Sequence, residues 1–221
     1  MGIENLKDKQ ILLDACVLLC GLENRPNPAY SFSNMRIYFM DKSFNYFSNL
    51  LVHDAIIHEL NKPGRTDVHS YIMNNQGQRL RVVGEDGLFG VDPHYTSIFT
   101  EIAQHYKFQY DRHSDDLFRC PCKDRGEIAS LAYAAHHEIP YFITKDEGVF
   151  IVQEDLTILK NIKIYGLEIF LAIGCMNNKD ADIRRALKSL YKSACYSSIR
   201  RGRIPQTLGE YLDSKQWEAI C

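Results

Sequence analysis

The chain has 221 residues and a formal net charge of −2, and 45% of its residues are hydrophobic and 24% charged. These proportions are ordinary for a globular domain and exclude collagen-like, low-complexity and disordered architectures. No stretch approaches the ~18–20 apolar residues of a membrane span, and residues 1–10 lack the apolar core of a signal peptide. We therefore expect a cytoplasmic protein without membrane contacts, in which the seven cysteines are mostly reduced thiols.

Apolar runs and helical periodicities alternate through the first half of the chain. Residues 10–19 are apolar except where Asp14 interrupts them, which predicts a strand buried on both faces that ends near Asp14. Residues 65–93 are polar and predict a loop-rich insertion, with a possible strand over 79–83. The other elements predicted in this half are a helix over 34–51, a strand over 50–52 and a helix over 53–60.

The second half continues the alternation and then changes in composition. The predicted elements are helices over 95–108 and 124–137, a strand over 140–144, a short helix over 150–155, a strand within 158–164 and a helix over 166–173. Strands alternating with helices predict an α/β fold around a mainly parallel sheet. The predicted domain covers residues 1–176. Residues 177–221 are predicted to be a basic helical extension, interrupted at Pro205 and ending in a short helix over 208–217.

Five acidic residues occupy positions where such a fold gathers its chemistry. Asp14 and Asp146 each follow a buried strand, and open α/β sheets bind ligands at the carboxyl ends of their strands. Glu59 lies in the helix after the second strand, while Asp124 and Glu127 lie three residues apart on one helical face. Converging carboxylates raise one another's pKa, and a hard cation such as Mg²⁺ or Mn²⁺ relieves that conflict. If the acids converge, they suit metal-assisted phosphodiester hydrolysis.

Four motifs in this order resemble those of the PIN domain, a family of small metal-dependent ribonucleases. They are ILLDACVLL around Asp14, VHDAIIHEL around Glu59, GEIASLAYA around Glu127 and FITKD ending at Asp146. A later segment, IKIY followed by LEIF, resembles the family's last strand and helix. Together these motifs span residues 10–173. The resemblance implies a three-layer α/β/α fold with a central, mainly parallel sheet.

The resemblance also implies roles for the acidic residues. Asp14, Glu127 and Asp146 would bind Mg²⁺ or Mn²⁺ directly or through water. Glu59 would complete the catalytic set, and Glu59 and Asp124 would hold water molecules of the ion or a second ion. No protein nucleophile is implied, because the attacking group is a water molecule.

Substrate contacts are expected at two places. Thr144 would bond a carboxylate or the scissile phosphate, and Lys145 lies beside the site. The basic cluster Arg200, Arg201 and Arg203 would follow a phosphate backbone without reading its sequence. The alternative for the cluster is an ordinary solvated face.

As a PIN-like protein, the chain is expected to be an endoribonuclease that acts on single-stranded RNA. Its role would be that of a toxin with an antitoxin partner, an RNA-processing enzyme or a nuclease of phage defence. A protein inhibitor and a homodimer are further expected partners. The alternatives are a catalytically silent module that binds nucleic acid or protein, and a structure-selective DNA nuclease.

Each acid also has a purely structural interpretation. Asp14 and Asp146 are suited to cap the helices that follow them. Asp124 and Glu127 are suited to the positive end of a helix dipole, and Glu59 to a solvated helix face.

The cysteines and histidines give weaker signals. Cys16 stands where PIN domains often have a small polar residue, and we expect it to pack inward and leave the metal short of one polar contact. Cys120 and Cys122 with His113 are too closely spaced for a typical zinc site. His58, next to Glu59, is the histidine that would reach the crevice.

Overall fold

A parallel sheet of five strands forms the centre of the molecule. The computed structural model describes residues 6–20, 31–78, 80–84, 88–110 and 124–214. The strands are β1 Gln10–Leu13, β2 Asn49–His53, β3 Leu80–Val83, β4 Tyr141–Ile143 and β5 Lys163–Tyr165. They stand in the order β3-β2-β1-β4-β5. The predicted α/β class with a parallel sheet is confirmed.

Side chains along the central strands point alternately into two separate apolar clusters. In β1, Ile11 and Leu13 belong to one cluster and Leu12 belongs to the other, and β2 and β4 alternate in the same way. Both faces of the sheet are therefore covered, which gives the expected three layers. Burial on both faces also explains why these strands are unbroken apolar runs in the sequence.

Helices cover the two faces of the sheet unequally. The face of Ile11 is covered by α1 Ala15–Leu18, α2 Phe32–Met35, α3 Asp41–Tyr46, α4 Asp54–Leu60, α5 Thr66–Asn75 and α9 Glu168–Met176. The face of Leu12 is covered by α6 Pro93–Tyr110, α7 Arg125–His136 and α8 Glu147–Asp155. None of the described helices is long and apolar enough to cross a membrane.

The strand order creates a switch point between β1 and β4. From β1 the chain proceeds outward through β2 to β3, and it then returns to the other side of β1 to form β4 and β5. The backbone N–H of Asp14 donates to the carbonyl of Ile143 at 3.0 Å, so the two strand ends are tied together. Ligand crevices of open α/β sheets form at such a point.

The segment 65–93 differs in part from its prediction as a loop-rich insertion. Residues Thr66–Asn75 form the helix α5, which was not predicted, whereas the predicted strand over 79–83 is confirmed as β3, Leu80–Val83, at the edge of the main sheet. The segment is mostly polar, but Val68 and Ile72, four residues apart, are fully buried on one helical face. Two apolar residues are a weak periodic signal, so the helix depends for its stability on burial against α4 and the sheet.

One predicted strand end is confirmed, and one helix is shorter than predicted. The strand β1 ends at Leu13, directly before Asp14 as predicted, and the helical turn α1 follows. The predicted helix over 34–51 is a continuous helical run over 32–46, with a π-helical stretch at Arg36–Met40, and β2 begins soon afterwards.

The C-terminal helices pack onto the same apolar cluster as the sheet. They are α10 Ala181–Ala194, α11 Tyr196–Arg200 and α12 Leu208–Asp213. Leu187, Tyr191 and Tyr211 are fully buried in this cluster, and the Tyr191 hydroxyl donates to the Pro205 carbonyl at 2.8 Å. The basic extension is therefore docked on the sheet domain as far as residue 214.

Candidate active site

Asp14 lies at the carboxyl end of β1, with only 2% of its surface exposed. Its Oδ2 accepts a hydrogen bond from the Thr144 hydroxyl at 2.7 Å and one from the Cys16 thiol at 2.8 Å. Within the described chain, Asp14 makes no side-chain cap bond to α1, although it occupies the N-cap position. The capping interpretation therefore does not account for this carboxylate.

Thr144 and Cys16 connect the loop after β1 to the loop after β4. The fully buried Thr144 hydroxyl also accepts the backbone N–H of Asp146 at 2.9 Å. The Cys16 sulfur accepts the backbone N–H of Lys145 at 3.1 Å. The Cys16 side chain is partly buried, and its thiol is aimed at the Asp14 carboxylate, so this residue adds a polar contact to Asp14.

Asp146 follows β4 and begins α8. Its Oδ1 accepts the backbone N–H of Gly148 at 2.7 Å, so this aspartate does cap its helix. It also bonds the Glu127 side chain, which favours the protonated form of that glutamate. Asp146 therefore combines a capping role with membership of the acidic cluster.

Glu127 projects from the first turn of α7 towards the strand ends. Its Oε2 accepts the Tyr106 hydroxyl from α6 at 3.3 Å. Tyr106 is almost fully buried, and it was not predicted from the sequence as a residue of the site.

Glu59 reaches the cluster from α4. Its Oε1 accepts the backbone N–H of Gly126 at 3.1 Å, which fixes α4 against the start of α7. A methyl group on Gly126 would lie 2.9 Å from that oxygen, so the close approach depends on glycine. Asp124 occupies the N-cap position of α7 and is 5% exposed, while His58 is exposed on α4.

Asp14, Glu59, Glu127 and Asp146 lie near enough to affect one another's ionisation. Burial raises the pKa of Asp14, and the charge of Asp146 adds to the rise, against the hydrogen bonds from Cys16 and Thr144. Burial together with the charges of Asp14 and Asp146 raises the pKa of Glu127 well above its ordinary range. Burial and the charge of Asp14 also raise the pKa of Glu59.

The Cys16 thiol is held in its protonated form by the same cluster. Burial and the adjacent Asp14 carboxylate raise its pKa well above the ordinary value. The group is therefore a hydrogen-bond donor rather than a thiolate. The four cysteines that the structure describes are all free thiols, as expected.

The basic residues predicted to bind substrate have varied surroundings. Lys145 is partly buried, and its charge lies near enough to the Cys195 thiol to lower that pKa against a larger rise from burial. Arg201 and Arg203 both pair with Glu147, at 2.9 and 2.7 Å. Arg200 is exposed on α11.

The donor set is carboxylate-rich, but its side chains are bonded to one another and to hydroxyl, thiol and N–H donors. Within the described ranges, no group of three or more His, Cys, Asp or Glu side chains has an arrangement that could hold a metal ion. The segment with Cys120, Cys122 and His113 lies outside the described residues.

The chain was compared with protein families, curated proteins and solved structures, and none of these comparisons suggests a function. No model of a protein family matches the chain. No curated protein and no solved structure matches it significantly. The resemblance to the PIN domain therefore rests on the sequence motifs alone.

Proposed function

We propose that this protein is a metal-dependent nuclease of the PIN type that hydrolyses phosphodiester bonds in single-stranded RNA. One observation carries the proposal. Asp14, Glu127 and Asp146 come from distant parts of the chain and form one interacting cluster at the switch point of the sheet. Glu59 interacts with the same cluster from α4.

The chemistry of the donor set fits a hard divalent cation. Carboxylate oxygens are the ligands that Mg²⁺ and Mn²⁺ prefer. Burial and the neighbouring carboxylates raise the pKa of Asp14, Glu59 and Glu127, and a bound cation would oppose that rise. Asp14, Glu127 and Asp146 would hold the ion, with Glu59 and Asp124 around it. When bound, such an ion polarises the phosphate and lowers the pKa of water.

The chain's own residues fix the orientation of these carboxylates. Thr144 and Cys16 hold one oxygen of Asp14, and Tyr106 holds one oxygen of Glu127. Because the donors are buried or partly buried, the bonded oxygens are held in place, and the carboxylates would have to turn about them to surround a cation. Buried donors of this kind distinguish the cluster from a set of surface acids.

RNA is preferred over DNA because of the resemblance to the PIN domain. The exposed Arg200 is suited to contact the phosphate backbone, and such a contact would be sensitive to salt. A toxin that pairs with an antitoxin, an RNA-processing enzyme and a phage-defence nuclease are the proposed settings, and a homodimer is the proposed assembly.

The test compares the unmutated protein with Asp14→Asn on labelled single-stranded RNA and DNA. Each reaction contains Mg²⁺, Mn²⁺ or EDTA, and Asp67→Asn on the exposed face of α5 is the matched control. We expect RNA cleavage that needs a divalent cation, that falls about 100-fold or more in Asp14→Asn, and that is unchanged in Asp67→Asn. Mn²⁺ binding by calorimetry should weaken in parallel.

The other outcomes separate the alternatives. RNA binding without cleavage of either polymer would favour the catalytically silent module. Preferential cleavage of branched or flapped DNA would favour the structure-selective nuclease. Cleavage that persists in Asp14→Asn would place the reactive site elsewhere.

A further inference from the structure

We infer that Arg203 is a positioning residue: it anchors the first turn of α8 to the C-terminal extension and so fixes the Asp146 carboxylate. The role of Asp146 itself rests on the proposed function. The anchoring is a property of the fold and can be measured without activity.

Arg203 lies along one face of α8. Its Nη1 is 2.7 Å from Glu147 Oε1, its Nη2 is 3.2 Å from Glu154 Oε1, and its guanidinium carbon is 4.6 Å from the Phe150 ring centroid. Residues 147, 150 and 154 share a helical face because they are spaced by three and four positions. One side chain therefore contacts two turns of the helix.

The backbone beneath Arg203 is itself fixed. Gly202 has a φ of +70°, which turns the chain sharply after α11, and the Arg203 N–H donates to the Ser198 carbonyl at 2.9 Å. Ile204, next along, is 8% exposed in the apolar cluster. The guanidinium thus projects from a backbone that is bonded to α11 and followed by a buried residue.

Arg201 adds a second cation to the same point. Its Nε lies 2.9 Å from Glu147 Oε1, the oxygen that also bonds Arg203. The side chain of Arg201 is 49% exposed and that of Arg203 is 23% exposed, so Arg203 is the more shielded of the two. Isolated surface ion pairs contribute little, but a network with several partners contributes more.

The anchored turn is the one that carries Asp146. Glu147 follows Asp146 directly, and the Asp146 Oδ1 accepts the N–H of Gly148 within the same turn. Movement of this turn would shift the Asp146 carboxylate relative to Glu127. The ion pairs direct both guanidinium groups at α8, which favours positioning over a direct phosphate contact.

The experiment measures amide hydrogen exchange by NMR in the metal-free protein. The Gly148 amide reports on the bond to Asp146, and the Ile128 amide in α7, which donates to the Asp124 carbonyl at 2.9 Å, is the internal reference. In Arg203→Ala we expect exchange at Gly148 to accelerate at least tenfold, with Ile128 unchanged. Arg203→Lys should give an intermediate rate because it keeps charge but loses the two-pronged contact.

A matched control is Arg185→Ala. Arg185 is an arginine of the same extension that is 80% exposed and pairs only with Asp182 among the described residues. It should leave the Gly148 amide unaffected. If Arg203→Ala does not fold, Glu147→Gln weakens the same network, and we expect it to accelerate exchange at Gly148 as well.

Activity and metal binding then separate this inference from the proposed function. If the enzyme cleaves RNA, Arg203→Ala should lower kcat about tenfold and weaken Mn²⁺ binding, with little change in KM. Unchanged exchange at Gly148 in both variants overturns the positioning role, whatever the activity. A raised KM and a reduced salt dependence, with unchanged exchange, would instead identify a phosphate contact. Absence of cleavage and of Mn²⁺ binding in the unmutated protein would refute the proposed function only.

Discussion

Replacement of Thr144 by valine would remove the hydroxyl group that joins the two aspartates while nearly preserving the shape of the side chain. Asp14 Oδ2 would lose its donor at 2.7 Å, and the Asp146 N–H would lose its acceptor at 2.9 Å. A hydrogen bond to a charged group contributes about 1.5–3 kcal/mol, and a buried N–H left unsatisfied costs about 1–3 kcal/mol. Because the two effects share one side chain and do not add fully, we expect a loss of about 2–4 kcal/mol.

The free energy of unfolding should be measured by urea denaturation in EDTA, with far-UV circular dichroism as the signal that monitors unfolding. Thr144→Ser keeps the hydroxyl and should cost about 1 kcal/mol for the lost methyl group. Thr100→Val is the matched control, because its hydroxyl donates to the Thr96 carbonyl at 2.7 Å on a partly exposed helix face. It should stay within about 0.5 kcal/mol of the unmutated protein.

The pH dependence of this difference also has a definite sign. The Thr144 hydroxyl lowers the pKa of Asp14, so the valine variant has the higher folded pKa. The advantage of the unmutated protein is therefore present where Asp14 is ionised and shrinks as the pH falls through its pKa. A loss below about 0.5 kcal/mol in Thr144→Val, or an equal loss in Thr144→Ser, would refute the bridging role.

Three further substitutions test the site and its surroundings. Glu127 has a raised folded pKa, so its contribution to stability is complete below its ordinary pKa of 4.5 and is lost as the pH rises. In EDTA, Glu127→Gln should therefore flatten the pH dependence of the free energy of unfolding by at most ~1.4 kcal/mol per pH unit. In a separate measurement without EDTA, Mn²⁺ should stabilise the variant less than the unmutated protein. Glu168 is buried, accepts the Gly166 N–H at 2.9 Å and also has a raised pKa, so Glu168→Gln should flatten the same curve with no effect on Mn²⁺ binding. Gly126→Ala should lower the free energy of unfolding by about 1–2 kcal/mol, because the cost of overpacking against Glu59 is larger than the stability that alanine adds to a helix. The same substitution should weaken Mn²⁺ binding.

Each of these expectations has a contrary result. An unchanged pH profile in Glu127→Gln would mean that the glutamate titrates as it does in the unfolded chain. Weakened Mn²⁺ binding in Glu168→Gln would connect this buried carboxyl to the metal site. A Gly126→Ala variant with full stability would show that Glu59 moves aside at no cost.

The central strands β1, β2 and β4 could be predicted from the sequence because they are short apolar runs. Such runs identify Asp14 and Asp146 as residues at strand ends without knowledge of the strand order. The order itself, and the role of 80–83 as an edge strand, depend on pairings between distant segments. The helix α5 was missed because only Val68 and Ile72 mark its buried face.

The site was less predictable than the fold, since its contacts connect distant residues. The bond from the Gly126 N–H to Glu59 spans 67 positions, and the bond from Thr144 to Asp14 spans 130. No local periodicity encodes either pair. The sequence could have suggested Cys16 as a donor, because residues two apart across a strand end can meet in the turn that follows.

Helix capping is the main structural alternative for the acidic set, and the geometry limits how much it explains. Asp146 does cap α8. Asp14 and Asp124 hold N-cap positions, yet within the described chain neither side chain makes the cap bond. Asp14 is instead buried, at a raised pKa, against the charge of Asp146. An arrangement that keeps carboxylates buried and close together lowers stability unless they take up protons or a cation joins them. Local conflicts of this kind occur where function requires them, and this conflict lies at the switch point of the sheet.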